Sequence, residues 1–404
     1  MSIIFGDKRI VLMLVLPVLI IACEGALPPA PEENELLDGP IEGLSTAEQR
    51  QFLAGDVAFN DDVFTASSGL GPVFVANSCG SCHAGDGKGH PFIKFTRFGQ
   101  SDSTGNPFAT FGDRRNQLQH KAIPGFEPEE LPLGAPFSEF LAPAVTGLGL
   151  LDAVPDADLI ALADPNDEDG DGISGRPHYN NVVDYVELRP NSISQNGKYI
   201  HRFGKKALAY NLLQQTTDAY NQDMGIVSLF EPIDPYSGLE QDPEVSTQTV
   251  NDVVFYLKTL KAPIPRNQDD PDIVAGKQIF SQISCSSCHT PKLTTGFSPI
   301  EALSNKEFYP YTDLLLHDMG PGLDDGYTEG FASTSEWRTP PLWGLGLSAN
   351  SQGGSMFLLH DGRATSIDEA IRLHGGEAES SRNMYVQRLS EAEKNQLIKF
   401  LKSL

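Results

Sequence analysis

Cysteine is scarce in this chain. Of five in 404 residues, four fall in two segments of one pattern, Cys79-Gly80-Ser81-Cys82-His83 and Cys285-Ser286-Ser287-Cys288-His289, leaving Cys23 alone. No pair remains for a structural disulfide and no free thiol for exchange chemistry. Cations are scarce too: 29 Lys and Arg stand against 54 Asp and Glu, a net charge of −25. Such a surface repels nucleic acid and anionic lipid headgroups. The apolar run Ile10 to Ile21 is too short, and is broken by Pro17, to span a bilayer. Long alternating strand patterns are missing as well, so the expectation is mainly helix with extensive ordered loop.

What is present is the CxxCH pair. In that spacing two thiols can add to the vinyl groups of one haem while the next histidine turns under the ring to ligate iron. A thioredoxin-like redox pair needs no following histidine, and a zinc site needs partner ligands at finger spacing, which the sequence does not offer. Phe74 and Phe280 each stand five residues before the first cysteine of a motif. The reading is two covalent c-type haems, on Cys79, Cys82 and Cys285, Cys288, with His83 and His289 as proximal ligands.

Met1 to Ala22, with Lys8 and Arg9 before the apolar run, resembles a bacterial lipoprotein signal cleaved before Cys23, whose thiol would carry lipid. An ordinary signal peptide is the alternative. The expected location is the periplasmic side of a bacterial membrane, the outer one, held by lipid alone. Pro- and acid-rich residues 23–44 read as a flexible tether, and Ser45-Thr46-Ala47-Glu48 is a capping box that opens a helix. Val254 to Leu260 and Ile398 to Leu404 are similar and close two halves, 45–262 and 271–404, across a Pro-rich linker. The expected architecture is two cytochrome c-like haem domains, the first enlarged by a long loop-rich insertion over residues 92–243.

Four further groups carry chemistry. Ser366 and Glu369 cap a helix on which Ile367, Ala370, Ile371 and His374 share one apolar face, making His374 a candidate distal iron ligand; Met319 and Met356 compete for that role. Asp167, Asp169 and Asp171, followed by Gly172, form the first half of a calcium loop without its terminal glutamate. Arg202, Lys205 and Lys206 suit haem propionates or a solvated helix start. His90, His120, His178 and His201 are candidates to close the first iron, with His90 too near His83 to reach the far face.

Leu141 to Asp152, Asp169 to Pro177, Arg202 to Ala207, Leu316 to Gly320, Trp337 to Gly344 and His360 to Ala364 resemble the dihaem oxidoreductase family, also labelled thiol oxidoreductases, over nearly all of the chain after Cys23. That family is similar to bacterial dihaem cytochrome c peroxidases. The resemblance implies that one haem stores an electron received from a small cytochrome or copper protein while the N-terminal haem reduces hydrogen peroxide. It places Asp152 where the peroxidases carry a catalytic glutamate, and His374 where they usually carry methionine. Histidine there lowers haem potential. His317 and His360 resemble loop-shaping elements, and Trp337 or Trp343 would line the path between haems. The competing reading is an electron-transfer cytochrome with two six-coordinate irons.

Overall fold

Ser45 and Ser390 start helices as their neighbours dictate. Ser45 Oγ accepts from Glu48 N at 3.3 Å while the Glu48 carboxylate accepts from Ser45 N at 2.8 Å. Ser390 and Glu393 repeat the exchange at 3.4 and 2.8 Å. The computed structural model describes residues 31–102, 105–109 and 116–404; the signal segment and Cys23 lie outside them.

The first half contributes α1 (Thr46–Asn60), α2 (Leu148–Asp152), α3 (Leu212–Asp218) and α4 (Thr247–Thr259). The second contributes α5 (Pro271–Gln282), α6 (Ile367–Leu373) and α7 (Glu391–Ser403). Helix α1 packs on α4, and α5 on α7. Both crossings depend on a glycine: a Cβ on Gly55 would lie 2.1 Å from Asp252 O, and one on Gly276 2.1 Å from Gln396 O. Four residues further on, Phe59 stands 5.8 Å from the His83 ring and Phe280 stands 6.5 Å from that of His289. Tyr256 and Phe400 fill the matching places behind them, at 5.4 and 5.6 Å. The repeat is therefore Ala-Gly-x-x-x-Phe, at 54–59 and 275–280. This corrects the pairing of Phe74 with Phe280: Phe74 sits instead in a short strand opposite Lys121.

The correspondence runs further. Gly147-Leu148-Gly149-Leu150 and Gly344-Leu345-Gly346-Leu347 turn alike, with left-handed φ of 69° and 67° at the first glycine. The second glycine presses on the closing helix: a Cβ on Gly149 would meet Lys258 O at 1.8 Å, and one on Gly346 would meet Lys402 O at 2.0 Å. Bridges Phe203–Ala209 and Leu358–Ala364 then lead to Asn211 and Ser366, which cap the seven-residue helices α3 and α6. Since α2 and α3 both recur in the second half, residues 92–243 are not one insertion. The extra chain is dispersed around them, in pieces such as the three-stranded sheet Gln117–Leu118, Phe95–Phe98, Phe137–Phe140 and the hairpin of His178–Asn180 with Tyr199–His201.

Gln100–Ser101 pairs in parallel with Thr328–Glu329, Arg97 forms an ion pair with Glu329, and Arg176 bridges to Leu316. These links stitch the halves together, and residues 37–404 form one compact unit. Order precedes Ser45: Ile41 N donates to Thr259 O at 2.7 Å, Lys261 N to Gly39 O at 3.0 Å, and Leu44 is buried. The expected tether thus ends several residues earlier than the capping box. Of the described residues, 31–36 group separately and hold a 3₁₀ turn at Glu33–Glu35.

Candidate functional site

A cavity of about 400 Å³ is lined by both CxxCH motifs and by Trp337 and Trp343. His83 Nδ1 lies 2.9 Å from Pro143 O and His289 Nδ1 lies 3.1 Å from Tyr311 O. Each ring nitrogen therefore donates to a carbonyl, which fixes the tautomer and leaves Nε2 with its lone pair. Burial lowers both imidazoles to about 4, so they stay neutral. Burial also pushes the Cys79, Cys82 and Cys285 thiols up to about 12. Zinc binding and thiol exchange both depend on thiolate, which these surroundings disfavour. Among the described residues, no cluster joins both cysteines of a motif to further metal-binding side chains.

At the second end, His374 caps α6 and its Nδ1 lies 2.7 Å from Ala370 O. The ring satisfies a helix-end carbonyl with Nδ1 while Nε2 remains free in the cavity wall. Burial keeps this imidazole neutral, and its proximity depresses His289 in turn. Met319 shares the wall and Met356 does not. His317 is excluded as a ligand because both ring nitrogens are taken, Nε2 by Asp313 at 2.8 Å and Nδ1 by Glu377 at 2.7 Å. Burial opposes its charge, yet the bonds to Asp313, Cys288 and Glu377 raise it to about 12. His360 stacks on Trp337 at 3.8 Å, and the Lys206 ammonium lies 4.0 Å from the same indole's centre.

The first end is built from the same parts with different side chains. Helix α3 gives Leu212, Gln215, Thr216 and the following Ala219 to the wall, where α6 gives Ile367, Ala370, Ile371 and His374. The residue in the place of His374 is thus Ala219. His90, His120, His178 and His201 do not line the cavity. The segment Ala219–Asp223 widens into a π-helical turn that brings Tyr220 and Asp223 to the wall. Arg97 and Gln117, opposite each other across two strands, complete it. None of these polar residues belonged to the expected site. Their sequence signal was the common offset of Ala219 from Asn211 and of His374 from Ser366.

The basic cluster separates. Arg202 is buried in an ion pair with Asp156, and Lys206 pairs with Asp325 at 3.3 Å. Arg202 also reaches the cavity wall, where Lys205 stands with Lys88 and Arg338. Among the described residues no ion pair or side-chain hydrogen bond is recorded for Lys88 or Lys205. Burial lowers Lys88 to about 8 and Arg338 to about 10, and depresses Lys205 strongly, reinforced by its two cationic neighbours. Uncompensated cations inside an apolar cavity are costly unless an anion joins them. Haem propionates fit that need, as the free imidazole nitrogens fit iron.

Asp152 stands apart from the cavity. Its side chain is not in the cavity wall; the carboxylate meets Arg189 at 3.3 Å and Lys258 at 3.8 Å, and Arg202 binds its backbone carbonyl. In the acidic loop, Asp164, Asp167 and Asp169 come within 4.8 Å of one another. Asp171 is not of that group; its carboxylate accepts from Ile173 N at 2.8 Å.

The family described as "Di-haem oxidoreductase, putative peroxidase" matches residues 140–404, and the chain belongs to it. Its cofactors are accordingly haems. Similar solved structures include the hydrazine synthase of Kuenenia stuttgartiensis, at 13% identity and a TM-score of 0.40 over 100% of this chain and 98% of that one. Another is a MauG-like protein associated with microbial copper homeostasis, at 13% identity and a TM-score of 0.40 over 94% of this chain and 95% of that one. No curated protein matches the chain.

Proposed function

We propose that this chain is a c-type dihaem oxidoreductase that reduces hydrogen peroxide at its first haem with electrons from a small redox protein. The observation that carries the reading is the exchange of His374 for Ala219 at matching places in the wall. Two haems, bound at Cys79, Cys82 and at Cys285, Cys288, would supply the redox chemistry, one meeting the oxidant and the other exchanging electrons with the donor. His83 and His289 would hold them through Nε2, each ring oriented by the carbonyl that its Nδ1 meets. His374 offers Nε2 to the second haem, and histidine pairs favour a lower potential than methionine does. Ala219 offers no ligand atom, so a haem held by His83 would have a side facing the polar residues Gln215, Thr216 and Tyr220 with no imidazole from this helix. Lys88, Lys205 and Arg338 balance propionate charge, and the two indoles lie in the wall common to both ends. With a net charge of −25, the chain suits a donor cytochrome or copper protein with a basic face.

Electron paramagnetic resonance of the oxidised and half-reduced protein, with a turnover assay, tests this. The expected result is one low-spin and one high-spin iron in at least one of those states, and peroxide consumption that needs the donor. Two low-spin irons in both states, with no turnover, would establish the electron-transfer cytochrome instead.

A further inference from the structure

We propose that Asp223, oriented by Gln117, is the residue that takes and returns the proton at the open side of the first haem. The inference rests on the reading of that side as open. Among the described residues Asp223 is the one carboxylate in the cavity wall. Asp152 faces Arg189 outside that wall. Asp86, the other buried carboxyl near this motif, is also outside it and accepts from Tyr256 Oη at 2.6 Å.

Three features make the surroundings of Asp223 a built site. It belongs to the same end of the cavity as the first motif, since its charge is felt by both Cys79 and Cys82. Gln117 Nε2 donates to Asp223 Oδ1, and Gln117 is the cross-strand neighbour of Arg97. Three polar atoms in this wall, Arg97 Nε, Thr216 Oγ1 and Tyr220 Oη, are buried with no hydrogen-bond partner. Orphaned polar atoms of this kind mark a place for a small polar guest. Arg97 is paired with Glu329 behind it, so it orders the pocket without quenching Asp223 by direct contact.

Burial raises Asp223 to about 6, against the opposing effects of the Gln117 bond and the Arg97 charge. A carboxyl in that range can both accept and release a proton near neutrality. On peroxide, the carboxylate would take the proton of one oxygen and give it to the other, so that the O–O bond breaks with departure of water and Asp223 ends unchanged. Overall one peroxide, two electrons from the donor and two protons from solvent give two waters.

Cyanide is the probe, because hydrogen cyanide must shed a proton to bind iron as the anion. In stopped flow with the holoprotein, association should slow as pH falls through about 6, where the carboxylate fills with its proton. Besides Asp223, the charged groups facing this end are Arg97 with Glu329, Lys121, which is felt at Cys82, Asp62, which is felt at Cys79 and Tyr220, and Lys205, which is felt at His83 and has Lys88 beside it. Asp223→Asn should abolish the inflection and slow association roughly 10²-fold. Asp223→Glu should restore it. Gln117→Leu should move it to higher pH, because a bond that favours the charged carboxylate is lost. Asp152→Asn should leave it in place. An inflection that survives in Asp223→Asn, stays fixed in Gln117→Leu or vanishes in Asp152→Asn overturns the assignment. A normal inflection without peroxide turnover defeats only the choice of peroxide. No cyanide binding in any redox state defeats the open side, and this inference with it.

Discussion

An imidazole serves iron only through a nitrogen that nothing else holds. His83, His289 and His374 each give Nδ1 to a backbone carbonyl and keep Nε2 free. His317, beside Cys288, gives both nitrogens to carboxylates and becomes a cationic clamp between Asp313 and Glu377. Removing one partner of a buried ionic group leaves the others uncompensated. His317→Gln should therefore destabilise the fold by about 3 kcal/mol in denaturant melts, with both haems retained. The folded-state value of His317 is raised, so its contribution is fully present below an unfolded value of about 6.5. It is lost as pH rises towards 12. The deficit of the variant should accordingly shrink with rising pH, and a deficit independent of pH would mean that packing and not charge is at work. In sequence, the two CxxCH motifs that line the cavity were legible because each is a local pattern. The fates of His317, Asp152 and Asp223 were not, since each depends on a partner supplied by a distant segment.

At the level of elements, caps and closing helices could be read directly, because a capping box spans four residues. The helix crossings were harder. Ala-Gly-x-x-x-Phe occurs at 54–59 and 275–280, but a loop separates the first copy from its CxxCH while the second copy adjoins its own. Fixed spacing from the cysteine therefore selected Phe74, where packing selects Phe59. The glycine in the pattern is what permits the approach of the helices. Gly276→Ala would drive a methyl to 2.1 Å from Gln396 O and 2.7 Å from Phe400 Cβ, which forces α5 away from α7. The expected cost is about 1–3 kcal/mol, accompanied by a changed absorption spectrum of the second haem, because Phe280 and Phe400 move with the helices. A melting curve like that of the parent would show that the crossing is looser than this.

For the molecule as a whole, the informative quantity is the difference between its halves. Helix pair, glycine turn, bridge and capped seven-residue helix recur in order, and they deliver α3 and α6 to the same cavity with the same four positions exposed to it. Against that common frame, Gln215, Thr216 and Ala219 replace Ala370, Ile371 and His374. One end thereby presents polar side chains and no imidazole, where the other presents apolar ones and the free Nε2 of His374. The repeat in the closing helices was legible, but this exchange was hidden by the dispersed extra chain in the first half. It can be reversed by mutation. Ala219→His should offer an imidazole from the residue after α3 and convert the first haem to a low-spin, six-coordinate form, with loss of cyanide binding and of peroxide turnover. His374→Ala should do the opposite at the second haem, giving a high-spin signal while the first keeps its spectrum. Resonance Raman and paramagnetic resonance would read both. If Ala219→His binds cyanide like the parent, or if His374→Ala remains low-spin, the two positions are not equivalent with respect to iron. The asymmetry of the halves would then have to lie elsewhere in the wall, with Met319 the first residue to examine at the second end.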